Sequence, residues 1–228
     1  MRQADTHNQG RPKAAGKSSG PGSNRVRLVI FDSDGTLIDS RAAHRSFYGR
    51  LKQDLGLEPL STAEEDFVFI STFDKALQRL IPPGLRRQAR EAAEDLRASH
   101  FHPLVKAQPG LEPVLDHLAG LGLRKAVNTN AGREVLEIYD RLNLSRFLDL
   151  VVTADDVDRP KPELEGVLRI LGRLGFEASA AVFIGDSIID QQTAQKAGVR
   201  FWAYNNDSLE AEVHLAGYLI PALSGLFD

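Results

Sequence analysis

Four short polar clusters in this chain each stand where an apolar run stops. The first is Asp32-Ser33-Asp34-Gly35-Thr36, directly after Val26 to Phe31. The second is Asn128-Thr129-Asn130, the third is Lys161 in a turn-rich stretch, and the fourth is Gly185-Asp186-Ser187 with Asp190 one turn on. Brought to one edge, Asp32, Asp34 and Asp186 would repel one another and require a cation. Hard oxygen donors in a chain without cysteine favour magnesium over zinc. A metal ion beside Lys161 makes a site for a dianionic phosphate group. An aspartate at such a metal can attack phosphorus and form an aspartyl-phosphate. A second aspartate two residues on can protonate the leaving oxygen and then activate water. Gly35 permits the tight turn that aims both.

The elements that must position these groups alternate. Val26 to Phe31 reads as a buried parallel strand. Helical patterns follow at Arg41–Leu55, Thr62–Leu80 and Leu85–Phe101, with the breakers Pro82-Pro83-Gly84 between the last two. No strand pattern lies between Ser40 and Pro109. Strands are then expected at Leu123–Thr129, Phe147–Val152, Ala180–Ile184, Val199–Ala203 and Gly217–Ile220. Helices are expected at Leu111–Leu121, Arg133–Leu142, Glu163–Leu174 and Ser187–Ala197, the last closed by Gly198 as C-cap. This alternation predicts an α/β, doubly wound parallel sheet, whose sites lie beyond the carboxyl ends of its strands.

The expected organisation is a disordered tail at residues 1–24, an α/β core from 25–40 and 109–228, and a helical insertion at 41–108. Net charge is -3 and the pI is about 6.1, with no basic footprint for nucleic acid. No apolar run is long enough for a membrane span and none resembles a signal peptide, so a cytoplasmic protein with no membrane partner is expected. An EF-hand is excluded, because Gly35 falls at loop position 4 and Ala43 stands where the ligand glutamate belongs. Arg133 reads as a solvated helix residue, Asp155 and Asp156 as turn residues, and Phe47, Tyr48, Phe67, Phe69 and Phe73 as core. His44 and His100 have no ligand-like neighbours in sequence.

In order, Asp32-Ser33-Asp34-Gly35-Thr36-Leu37, Thr129-Asn130, Lys161-Pro162 and Gly185-Asp186-Ser187 with Asp190 resemble the haloacid dehalogenase-like superfamily, in its phosphatase branch. The match runs from about Arg27 to Ala203 and looks closest to phosphoglycolate phosphatase-like proteins. The resemblance implies a Rossmann-like core with a type 1 helical cap and a small phosphate ester as substrate. It makes Asp32 the nucleophile and a magnesium ligand. It makes Asp34 the general acid and base, ligating metal through its carbonyl. Thr129 and the amide of Asn130 would hold the phosphoryl oxygens, and Lys161 would neutralise the transferring group. Asp186 would ligate magnesium, and Asp190 would bind a metal water or orient Lys161. Dehalogenases of the superfamily lack the second aspartate, so Asp34 argues against that chemistry. Two departures stand out: Lys161-Pro162-Glu163-Leu164 lacks a second proline, and Asn128 is unusually polar. A β-phosphoglucomutase-type mutase, a pyrophosphatase or a nucleotidase would use the same scaffold. A non-catalytic regulatory protein is the reading from another class, against which the filled catalytic positions weigh.

Overall fold

The computed structural model describes residues 25–218 and Phe227. The tail expected at residues 1–24 lies outside them. Strand β1 (Leu28–Phe31) is buried along its whole length. Side chains alternate across a strand, so Val29 and Phe31 enter one apolar core and Leu28 and Ile30 the other. A strand with water on neither face needs no polar residue, which is why this run is continuously apolar.

The chain then forms a short β2 (Ile38–Asp39) and enters helices α1 (Arg41–Asp54), α2 (Thr62–Ile70), α3 (Phe73–Leu80) and α4 (Arg86–Leu96). Helix α4 runs on into a π-helical turn, Arg97–Phe101. These helices bury a cluster of their own that includes Phe47, Leu51, Val68, Leu77, Ala89 and Ala93. Strand β3 (Lys106–Ala107) returns antiparallel against β2, pairing Ile38 with Ala107 and Asp39 with Lys106. No strand was expected there, because two residues are too few to carry a period-two pattern. The single helix expected over Thr62–Leu80 is also two. Ser71 and Thr72 are extended, and the Thr72 hydroxyl accepts from the Lys75 amide to start α3 afresh.

Beyond β3 the order is α5 (Leu111–Gly120), β4 (Arg124–Asn128), α6 (Val135–Arg141), β5 (Leu150–Val152) and α7 (Glu165–Leu174). Then come β6 (Ala181–Gly185), α8 (Ile188–Ala197), β7 (Arg200–Tyr204) and β8 (Val213–Leu215). The six strands of the main sheet are parallel, in the order β5-β4-β1-β6-β7-β8. The last of them is not Gly217–Ile220: Gly217 and Tyr218 follow the strand, and Leu219 and Ile220 lie outside the described residues. Gly198 closes α8 at φ 66°, in the left-handed region expected of a C-cap. Phe31 pairs with Val127 on one side and Ile184 on the other. That register sets Asp32, Asn128 and Gly185 side by side at the carboxyl edge. No helix among the described residues is long and apolar enough to cross a membrane.

Candidate active site

Asp32 is the first residue past β1, and its amide still donates to the Ile184 carbonyl of β6 at 2.9 Å. The chain then reverses around Gly35, at φ 83°. A Cβ at Gly35 would stand 2.1 Å from the Asp186 carboxylate, so glycine is required both by conformation and by space. This turn lets Asp32 and Asp186, from neighbouring strands, approach one another across it.

Lys161 reaches the same point from the loop between β5 and α7. Its ammonium donates to Asp32 at 2.6 Å and to Asp190 at 2.5 Å, with all three side chains almost wholly buried. A buried ammonium is costly unless paired. Burial opposes its charge, but Asp190 and Asp32 outweigh burial and hold the Lys161 pKa above its ordinary value. The other Asp190 oxygen caps α8, accepting from the Ser187 amide at 3.1 Å and the Ser187 hydroxyl at 2.5 Å. Both Asp190 oxygens are therefore engaged, one by Lys161 and the other at the start of α8.

Asp32 and Asp186 carry the remaining negative charge. Burial, then the nearby Asp190 carboxylate, raises the Asp32 pKa well above the usual range despite Lys161. The same two causes push Asp186 up to about 7. The Asp186 carboxylate accepts from the Thr36 hydroxyl at 3.3 Å. Carboxylate oxygens of Asp32, Asp186 and Asp190 lie within 4.8 Å of one another. Oxygen donors crowded around uncompensated negative charge fit a hard divalent cation.

Asp34 behaves differently. Burial opposes its ionisation, but hydrogen bonds and charge from His44, with help from Ser40, hold its pKa below the ordinary value. The Ser40 hydroxyl donates to Asp34 Oδ1 at 2.5 Å, and His44 Nε2 lies 3.3 Å from the same oxygen. The two aspartates of one loop are thus driven in opposite directions, Asp32 up and Asp34 down, by different neighbours.

Thr129 and Asn130 follow β4. The Thr129 hydroxyl oxygen accepts from the Ala131 amide at 3.0 Å, which leaves its own proton free to donate. The Asn130 side-chain amide donates to the carbonyls of Lys161 and Ile70, both at 3.2 Å. It ties the loop after β4 to the end of α2. Thr129 and Asn130 do not cap α6, which starts later at Val135. Arg133 is exposed and pairs with Asp156 at 2.8 Å.

All seven site residues expected from sequence meet at one place. Asp32, Asp34, Thr129, Asn130, Lys161 and Asp186 line a cavity of about 70 Å³, with Asp190 directly behind Lys161. The opposite wall is Phe47, Tyr48, Phe69, Phe73 and Phe101, joined by Arg97 and Glu134; Phe67 is not part of it. Sequence reasoning missed His44, Arg97 and Glu134. His44 had a signal: it precedes the buried Phe47, Tyr48 and Leu51 by three, four and seven residues, so it lies on the inward stripe of α1. Arg97 likewise continues the buried Ala89–Ala93 row at four-residue spacing.

Comparison with known proteins agrees with this geometry. Residues 29–204 match the family model of the haloacid dehalogenase-like hydrolases. The chain is 30% identical over 188 residues to the phosphoglycolate phosphatase of Aquifex aeolicus, covering 78% of this chain and 86% of that protein. It is 29% identical over 184 residues to phosphoglycolate phosphatase 1 of Pseudomonas aeruginosa, covering 76% and 67%. A crystal structure of a HAD-superfamily hydrolase, subfamily IA, variant 1, from Geobacter sulfurreducens matches with a TM-score of 0.73 at 28% identity, over 85% of this chain and 96% of that one. CbbY from Rhodobacter sphaeroides, in complex with phosphate, shares the fold at TM-score 0.72 and 20% identity, over 85% and 95%. The chain belongs to the haloacid dehalogenase-like hydrolases. It is an enzyme of that family's phosphatase type.

Proposed function

We propose that this enzyme is a magnesium-dependent, cytoplasmic phosphatase that hydrolyses a small phosphomonoester of the phosphoglycolate kind through an aspartyl-phosphate. The observation that carries the reading is Lys161 bridging Asp32 and Asp190 on the cavity floor, with Asp34 two residues beyond the nucleophile and separately tuned. The relatives named phosphoglycolate phosphatase support the substrate class. The size of the cavity supports a small ester.

Asp32 attacks phosphorus in line, the ester P–O bond breaks, and the leaving alkoxide takes a proton from Asp34. The His44 and Ser40 contacts favour the Asp34 carboxylate, and the negative phosphoryl group arriving beside it favours its protonated form. In the second step Asp34 takes a proton from water, which attacks the aspartyl-phosphate and releases phosphate and free Asp32. Lys161 offsets charge on the nucleophile and on the transferring oxygens, and the Thr129 hydroxyl and Asn130 backbone amide donate to those oxygens. Asp32, Asp186 and the Asp34 carbonyl would hold magnesium, which when bound supplies electrostatic stabilisation of the phosphoryl charge. Residues 41–108 form the cap, and residues 25–40 with the described residues from 109 onward form the core. The separate apolar cluster of α1 to α4 supports that division.

The test is phosphate release from a panel of small esters with and without magnesium. Magnesium-dependent release without a bisphosphate activator, abolished in a folded Asp32→Asn variant, is expected. Release that survived Asp32→Asn would remove the nucleophile assignment, and a need for bisphosphate would point to a mutase.

A further inference from the structure

The cavity holds two fixed cations among its described lining residues, and they are in different circumstances. Lys161 is closely paired with two aspartates at hydrogen-bond distance. Arg97 is not. Its side chain is only 19% exposed, yet the nearest carboxylate oxygens, on Glu134 and Glu94, stand at 3.6 and 3.7 Å. Those separations are too long for charge-assisted hydrogen bonds. The guanidinium lies over the Phe73 ring, 4.7 Å from its centroid, a face contact that leaves the edge donors available. The π-helical turn widens the end of α4, and Arg97 and Phe101, one turn apart, both reach the cavity wall. Such insertions into helices often accompany functional positions.

We propose that Arg97 is the specificity-determining residue of this enzyme, binding a carboxylate at the end of the substrate remote from phosphorus. This rests on the phosphatase reading of the catalytic edge and assigns the residue that selects the substrate's carboxylate. A guanidinium fork matches a carboxylate in two parallel hydrogen bonds. The other walls support the choice: Phe47, Phe73 and Phe101 offer no competing donors, and Tyr48 shares the electrostatic neighbourhood of Arg97 and Glu134. Glu134 beside Arg97 favours a singly charged carboxylate over a second, dianionic phosphate, because its own charge repels the latter more. A diphosphorylated compound is therefore a poorer occupant than a phosphorylated carboxylic acid.

The experiment compares phosphoglycolate with ethyl phosphate, in kcat/KM, for wild type, R97Q and R97K. In parallel, calorimetry with magnesium compares the non-hydrolysable 3-phosphonopropanoate with propylphosphonate. Loss of a charged, desolvated hydrogen-bonding pair predicts about a 30–100-fold fall for the carboxylated compound in R97Q, with the compound lacking the carboxylate within about 3-fold. R97K keeps charge but not the fork and should lose about 10-fold, again only for the carboxylate. Equal losses for both compounds, or no preference for the carboxylate in wild type, would overturn the proposal. If wild type hydrolyses no ester but binds the carboxylated phosphonate through Arg97, the subsite stands and the phosphatase reading fails. If R97Q does not fold, the R97K comparison decides alone.

Discussion

Replacing Asp186 by asparagine should make the metal-free protein more stable while destroying its function. The Asp186 pKa is pushed up to about 7, by burial first and by the Asp190 carboxylate second. An unfolded chain releases that proton near pH 4, so between about pH 4 and 7 the unfolded state binds fewer protons than the folded one, and stability falls as pH rises. Three pKa units at about 1.4 kcal/mol each set an upper bound of about 4 kcal/mol above pH 7. Asp186 is partly exposed, so water screening reduces that to about 2–4 kcal/mol. Asparagine keeps the shape and still accepts from the Thr36 hydroxyl, but carries no charge. In EDTA at pH 8, Asp186→Asn should therefore gain about 2–4 kcal/mol in urea unfolding, or roughly 4–16 °C in Tm. At pH 5 most of the penalty is already relieved by protonation, and the gain should shrink to about 1–2 kcal/mol. Adding magnesium should stabilise wild type by mass action and leave the variant largely unmoved. A variant less stable than wild type in EDTA at pH 8, or a gain that ignores pH, would refute the charge argument. The trade of stability for activity is the expected cost of gathering like charges at a functional site.

His44→Leu removes the ring nitrogen 3.3 Å from Asp34 and with it the influence that holds this carboxyl down. The acidic limb of the kcat profile should move to higher pH, with kcat lower by about 10–100-fold; an unmoved limb would deny His44 its positioning role. Gly35→Ala places a side chain at φ 83° against Asp186, and should cost about 2–4 kcal/mol with loss of turnover, as measured by denaturation and phosphate release. Asp156 is held at about 2 because hydrogen bonds from Thr153 and Arg133 outweigh the opposing effect of burial. Its contribution is present above about pH 4 and lost as pH falls towards 2, an effect of about 1–2 kcal/mol. Asp156→Asn should flatten that part of the stability curve, and an unchanged acid slope would count against it.

The chain's local pattern was enough to read the strand–helix alternation, the turn at Gly35 and the order of the polar clusters. These are short-range properties: a buried strand must be apolar throughout, and polar groups collect where it ends. The details it concealed depend on partners distant in sequence. β3 exists only because β2 lies beside it, and the break between α2 and α3 follows from a hydroxyl cap inside an otherwise helical pattern. The opposite tuning of Asp32 and Asp34, two residues apart, comes from burial and the Asp190 and Asp186 carboxylates on one side, and from His44 and Ser40 on the other. His44 and Arg97 read in sequence as ordinary helix residues. Only the packing of the insertion against the sheet edge turned both toward the same cavity, because burial and electrostatic neighbourhood are set by tertiary contact and not by residue type.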